Sequence, residues 1–164
     1  MKREQGFSLV ELLIVVAIIA IIAAIAVPSL LTSRMAANEA GGIQGCRTAG
    51  SAEIAYASTN NQLYTDLTTL VAQNFLDGRY TNGNGFNGYT YNVDAAGAVI
   101  GIPAGVPTSP AGGGFGIIAT ATAGYGRYNY GIGVDQVVRY QGHNAGATVD
   151  PAGLVAGDGI GKMK

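Results

Sequence analysis

A single carboxylate, Glu11, stands at the start of a long apolar segment and defines the chemistry this chain can do. Every residue from 12 to 27 is apolar, and a charge inside a bilayer costs on the order of 2.5 to 3.5 kcal/mol at mid-helix, less near an end. A cut between Gly6 and Phe7 would create an α-amino group about one helical turn from Glu11. Opposite charges attract strongly at low dielectric, so that amine could pair with Glu11 of a neighbouring subunit.

The element that positions Glu11 is the apolar segment at residues 7–31. Its length approaches the roughly 20 residues that cross the hydrocarbon core of a bilayer, so we predict a membrane helix. Lys2 and Arg3 precede it, and basic residues before a span place the N-terminus in the cytoplasm. Pro28 removes a backbone donor and clashes with the carbonyl of Ala24, so we predict a helix kink there.

The string GFSLVELL at residues 6–13 follows a basic leader and precedes an apolar helix containing Pro28. It resembles the prepilin signature of type IV pilins and of type II secretion pseudopilins, and the close match runs from residue 1 to about residue 39. The resemblance implies that a membrane peptidase cleaves between Gly6 and Phe7 and N-methylates Phe7. It also implies that Glu11, the fifth mature residue, acts with Phe7 in assembly.

The same resemblance implies a structural subunit of a type IV pilus and not an enzyme. Its expected partners are other copies of the chain in a helical filament, the prepilin peptidase, the inner membrane and the pilus assembly machinery. The subunit is expected in the inner membrane as a single-pass protein before assembly and in an extracellular filament afterwards. We expect no catalytic residue, metal or cofactor, and the net charge of −1 recommends no nucleic acid.

The domain organisation follows from these segments, and the fold class is α+β. Residues 1–6 form the leader, residues 7–31 the membrane and filament-core helix, and residues 32–60 an amphipathic continuation of that helix. Residues 61–164 form a globular head with an exposed loop and an antiparallel sheet of about four strands. One face of such a sheet must be covered, and the helix is the available cover.

A stripe of small residues on the helix continuation is predicted to face the head. Its spacing of three or four residues places its members on one side, and we predict that Cys46 within it is buried and reduced. Several glycines between residues 41 and 50 predict a bent or locally frayed helix. The stripe comprises Ala36, Ala40, Ile43, Cys46, Gly50, Ile54 and Ala57, with charged residues including Glu39 and Glu53 between them.

The head contains recognisable local patterns. Polar residues 58–61 are predicted to end the long helix, and Thr65 with Asp66 to start a short second helix. Residues 77–88 have the glycines and asparagines of a surface loop. Aromatic and β-branched residues predict strands at 89–93 and 116–122 and a hairpin at 128–134 and 137–140.

Other candidate sites in the head have simpler interpretations. The glycines at 112–116 lack the Gly-Lys-Ser/Thr of a phosphate loop. His143 has no nucleophile near it in sequence and is interpreted as a loop residue. The aspartates Asp135, Asp150 and Asp158 fit no EF-hand spacing and are interpreted as solvated turn residues. A single cysteine also differs from the many pilins whose C-terminal loop is closed by a disulfide.

Two alternatives remain at this level. The leader and apolar segment could form an ordinary secretory signal cut after the Ala-Ile-Ala at residues 24–26, in front of a secreted binding domain or hydrolase. Glu11 inside the apolar region argues against that interpretation. Within the resembling group, a pseudopilin of a type II secretion system is the alternative to a pilus subunit, and the sequence does not choose among motility, adhesion, DNA uptake and secretion.

Overall fold

The structure, a computed structural model, describes residues 6–81, 85–93 and 113–142. The chain divides into two compact units, Met1–Arg34 and Met35–Lys164. The first unit contains the apolar segment. The second contains the sheet and the helical residues that pack on it.

The long helix α1 comprises Leu9–Thr59. In the first unit all of its leucine, isoleucine and valine side chains are exposed. Such a surface is stable only when lipid or other apolar groups cover it. Within the described residues, α1 alone is long and apolar enough to cross a membrane by length and composition, a test that a signal sequence near the N-terminus also passes.

Helix α1 ends at Thr59, as the polar residues 58–61 predicted. The side chains of Ser58, Thr59 and Asn60 donate hydrogen bonds to carbonyls of the last turn, at 2.7, 2.9 and 3.0 Å. Asn61 and Gln62 then take positive φ angles of 53° and 61°. Local polar bonds of this kind compete with helical ones and stop the helix.

The sheet has four antiparallel strands in the order β1-β2-β3-β4. Together with α1 it confirms the predicted α+β class, and its strands lie close to the predicted positions. Each strand pairs with the next one along the chain. The strands are β1 (Tyr89–Val93), β2 (Gly116–Ala121), β3 (Tyr128–Gly133) and β4 (Arg139–Gly142).

The turn between β3 and β4 is longer than the two residues predicted, because Asp135 organises it. Its Oδ1 accepts the backbone N–H of Val137 at 3.2 Å, and Gln136 takes a φ of 57°. Strand β4 therefore begins at Arg139, two residues later than predicted.

The short second helix α2 comprises Leu67–Ala72 and confirms the prediction made from Thr65 and Asp66. Asp66 is its N-cap and accepts the backbone N–H of Thr69 at 2.6 Å, while Leu67 and Leu70 are buried. The predicted surface loop at 77–88 is partly wrong. It contains a 3-10 helix, Gly78–Thr81, whose Tyr80 is buried against Phe86 and Tyr91.

The face that α1 turns toward the sheet differs from the predicted stripe. Cys46, Gly50 and Ala57 are buried as predicted, but Ala36, Ala40 and Ile54 are exposed. The buried side chains include two carboxylates that were predicted to lie outside the stripe, Glu39 and Glu53, and each accepts a hydrogen bond from a backbone N–H of the head. The buried positions are Glu39, Gly42, Gly45, Cys46, Ala49, Gly50, Ala52, Glu53 and Ala57.

Close approach of tyrosines from β1 explains two of the glycines of α1, Gly42 and Gly45. A Cβ at Gly45 would overlap the hydroxyl and ring of Tyr91, and one at Gly42 would lie 3.0 Å from the ring of Tyr89. Glycine costs helix propensity but admits these bulky side chains. The predicted fraying is wrong, because α1 is helical throughout this stretch.

Candidate functional site

The predicted processing site lies directly before the start of α1. Gly6, Phe7 and Ser8 precede the helix, and the Phe7 side chain is 84% exposed. Leu9 is the first helical residue. The peptide bond between Gly6 and Phe7 therefore lies outside the helix, where a peptidase could bind it in an extended form.

Ser8 and Glu11 form a capping box at this helix start. The backbone N–H of Ser8 donates to Glu11 Oε2 at 2.9 Å, and Ser8 Oγ accepts the backbone N–H of Val10 at 3.3 Å. Two of the backbone donors without a helical partner are thereby satisfied. A negative charge in the first turn also interacts favourably with the helix dipole.

The sequence interpretation missed this local role of Glu11, although a signal for it was present. Ser-x-x-Glu before an apolar run is the sequence pattern of a capping box, and residues 8–11 have it. The carboxylate therefore has a partner in its own chain. A carboxylate has about four lone-pair directions, so one accepted hydrogen bond leaves it able to accept a second donor.

No cation within the described residues pairs with Glu11, since the ion pairs there all lie in the head. Its neighbours along the helix are exposed apolar side chains such as Leu12 and Leu13. The site thus consists of one acidic group on an otherwise apolar surface. A second molecule could supply both the apolar cover and the positive charge.

Comparison with known families matches residues 1–27 to the prokaryotic N-terminal methylation motif. The chain carries a prepilin motif. This is the motif of type IV pilins and pseudopilins, and it implies processing by a prepilin peptidase and assembly into filaments in general. No curated protein matches the chain.

The prepilin motif and the apolar N-terminal part of α1 together fit an inner-membrane-anchored pilin. The motif is a structural, pilin-type motif and does not define a class of enzyme. It also accounts for the register of Gly6, Phe7 and Glu11 more completely than an ordinary secretory signal does, because such a signal needs no acidic residue in its apolar region.

The remaining sequence candidates lie elsewhere. Cys46 is a free, fully buried thiol, as predicted. Asp135 is not a simple solvated aspartate, because it binds the buried Arg139 through both carboxylate oxygens. His143, Asp150 and Asp158 fall outside the described residues. Within the described part of the chain, no three His, Cys, Asp or Glu side chains come together as a metal site.

Two buried carboxylates of α1 fasten loops of the head. Glu39 Oε1 accepts the backbone N–H and Nε of Arg127 at 2.8 and 3.0 Å, and Oε2 accepts Nη2 at 3.0 Å. Burial opposes its charge, but the hydrogen bonds and charge of Arg127 outweigh burial and lower the pKa of Glu39. The pair fastens α1 to the turn between β2 and β3.

Proposed function

We propose that the chain is the structural subunit of a type IV pilus filament. The observation that carries this proposal is the prepilin motif at residues 1–27. The motif includes the start of an exposed apolar helix, which has one acidic residue, Glu11, in its first turn. Before assembly, the subunit is a single-pass protein of the inner membrane with its N-terminus in the cytoplasm. The pilus assembly machinery then adds it to an extracellular filament.

The processing steps are proposed for the residues that fit the motif. The peptidase removes residues 1–6 by cutting between Gly6 and Phe7 and then methylates the amine of Phe7. The position of residues 6–8 before the helix supports this, because the bond to be cut lies outside α1. Residues 7–31 then form the membrane and filament-core helix.

Assembly is proposed to pair the Phe7 amine of one subunit with Glu11 of its neighbour. An unpaired carboxylate in lipid is costly, and the amine compensates it. Glu11 keeps its bond to the Ser8 N–H and accepts the amine with its remaining lone pairs. The apolar surfaces of adjacent helices cover each other at the same time.

Pro28 is proposed as the weak point of the filament-core helix. It lies inside α1, where its missing N–H leaves the carbonyl of Ala24 without its usual donor. The next turn contains two side chains that bond back to carbonyls, Thr32 to Pro28 O at 3.1 Å and Ser33 to Ser29 O at 2.9 Å. Such bonds often bend helices. The kink itself stays a prediction.

The mass of the mature protein tests the processing step. We expect a chain that begins at Phe7 and carries one methyl group on its terminal nitrogen. A chain beginning at Val27 would identify an ordinary secretory signal, and a chain retaining Met1 would show that no prepilin processing occurs. Either result would overturn the proposal.

A pseudopilin of a type II secretion system is the second candidate, because the prepilin motif is common to both groups. Electron microscopy of filaments sheared from cells separates the two. A type IV pilin yields long surface filaments that contain this chain and disappear when its gene is deleted. Short periplasmic assemblies, with no surface filament, would favour the pseudopilin.

A further inference from the structure

Glu53 is a fully buried carboxylate whose environment offers little to an ionised group. It lies on the sheet-facing side of α1 and is 0% exposed. Its Oε2 accepts the backbone N–H of Thr65 at 3.2 Å, and its Oε1 has no hydrogen-bond partner. A buried carboxylate with one donor is poorly compensated, whereas the neutral acid is tolerated.

The bond to Thr65 crosses from α1 to residues 60–66, which we call the α1–α2 connection. Other contacts hold the rest of this segment. The Asn60 side chain donates to Tyr56 O at 3.0 Å, the backbone N–H of Gln62 donates to Ala57 O at 2.8 Å, and the Tyr64 ring packs against Phe115 with centroids 5.1 Å apart. Glu53 is the buried side chain that attaches the end of this segment nearest α2 to α1.

The charged groups around Glu53 do not stabilise its ionised form. Asp66, at the end of the connection, is negative and acts on it unfavourably, and α2 (LTTLVA) has no titratable side chain. On the sheet, the buried tyrosines Tyr89 and Tyr130 interact electrostatically with Glu39 and not with Glu53. None of the arginines in the described part of the chain forms an ion pair with Glu53. Three of them pair with other carboxylates, in the pairs Arg127–Glu39, Arg139–Asp135 and Arg79–Asp77. The other two, Arg34 and Arg47, are exposed on α1.

We propose that Glu53 is a proton-dependent latch for the α1–α2 connection. When the carboxyl is neutral, it holds Thr65 and the connection closed against α1. When it ionises, the connection opens so that water can reach the charge. Glu39 lies on the same face of α1 but differs from Glu53 in having a cationic partner. Arg127 compensates its charge, so Glu39 can ionise while the head stays closed.

The direction of the pH dependence follows from the titration of Glu53. Burial, the largest effect, raises its pKa from 4.5 to about 7; the Thr65 N–H acts in the opposite sense, and Asp66 adds to the increase. The open form exposes the carboxyl and has a pKa near 4.5. The equilibrium constant for opening therefore increases about tenfold per pH unit between 4.5 and about 7, and it is constant above that range.

Amide exchange of the full chain in detergent micelles tests the latch. Exchange at Thr65, divided by its intrinsic rate at each pH, should increase about tenfold per unit from pH 5 to 7 and then level off. In Glu53→Gln, which cannot ionise, the corrected exchange should be independent of pH. Equal pH dependence in both proteins would overturn the proposal.

Two further variants keep the test decisive even if Glu53→Gln folds poorly. Asp66→Asn retains an N-cap residue but removes the negative neighbour that helps to raise the pKa of Glu53. The corrected exchange at Thr65 should therefore level off at a lower pH. Glu39→Gln should leave the profile at Thr65 unchanged. A carbon NMR titration of the wild-type Glu53 carboxyl near its usual 4.5, or an Asp66→Asn profile identical to wild type, would contradict the latch.

Discussion

At the scale of single residues, Glu11 has two separable tasks. Its carboxylate caps its own helix through the Ser8 N–H, and in the proposed filament its charge meets the amine of a neighbour. Glutamine can serve at this position of a capping box but carries no charge. Substitutions at Ser8 and Glu11 can therefore distinguish the cap from the ion pair.

We expect Glu11→Leu and Glu11→Gln subunits to insert, be processed and accumulate, but to assemble poorly, because both lose the pairing charge. Ser8→Ala is the control. It weakens the helix start by about 1 kcal/mol but retains the charge, so it should still assemble. The measurement is the amount of filament sheared from cells that express only the variant. Normal filament from Glu11→Leu would mean that the ion pair does not drive assembly.

Cys46 is a second residue whose environment predicts its chemistry. It is 0% exposed, and burial, slightly opposed by the backbone N–H of Ala119, raises the pKa of its thiol to about 12. Since the thiolate is the reactive form, we expect a thiol reagent at pH 8 to leave the folded chain unlabelled and to label it rapidly in denaturant.

Cys46→Ala should lower the free energy of unfolding by about 1 kcal/mol and leave filament formation intact. Rapid labelling of folded chain would contradict this burial.

At the scale of elements, the packing of α1 on β1 depends on glycine. Tyr91 reaches over Gly45, and its hydroxyl donates to the carbonyl of Gly41 at 3.5 Å. Tyr80 donates in the same way to the carbonyl of Gly45 at 3.3 Å. Glycine lowers the helix propensity of α1 at these positions, but it allows two tyrosines to pack against the helix backbone.

We expect Gly45→Ala to destabilise the head by about 1 to 2 kcal/mol, because overpacking against Tyr91 exceeds the gain of up to about 1 kcal/mol in helix propensity. Gly41→Ala is the matched control. Its nearest neighbours are Asn87 Nδ2 at 2.9 Å and Asn87 Cβ at 3.0 Å from the new Cβ, so Asn87 needs a smaller shift than Tyr91 does beside Gly45. Denaturant unfolding in micelles should show the smaller loss for Gly41→Ala, and equal losses would argue against the Tyr91 contact.

At the scale of the whole head, two buried carboxylates of one helix titrate in opposite directions. The lowered pKa of Glu39 gives stability that is present above its usual 4.5 and lost as pH falls. The raised pKa of Glu53 gives stability that is present below 4.5 and lost as pH rises to about 7. The head should therefore be most stable in mild acid.

The unfolding temperature of the full chain in micelles, followed from pH 3 to 8, should pass through a maximum near about pH 4.5. Glu53→Gln should remove the decline between 4.5 and 7, and Glu39→Gln should reduce the decline in acid without abolishing it. Asp135, whose pKa Arg139 lowers against the effect of burial, and Asp77, whose pKa the backbone N–H of Arg79 lowers, contribute to the remainder. A steady rise in unfolding temperature up to pH 8 would show that Glu53 is not buried as described.

The sequence by itself determined the features that depend on near neighbours along the chain. The apolar helix, the stop after Thr59 and the four strands all arise from local patterns, and each was predicted with small errors in its ends. The longer turn at Asp135 was missed because one side-chain bond sets it.

Only the tertiary structure decided which face of α1 is buried. Helical periodicity grouped apolar residues and placed Glu39 and Glu53 outside the stripe, but the partners that admit these carboxylates come from distant parts of the chain, Arg127 and Thr65. The glycines looked like helix breakers because Tyr89 and Tyr91 are far away in sequence. The buried positions of α1 do recur every three or four residues, but several are glycines or carboxylates, so a search for apolar residues at that spacing did not find all of them.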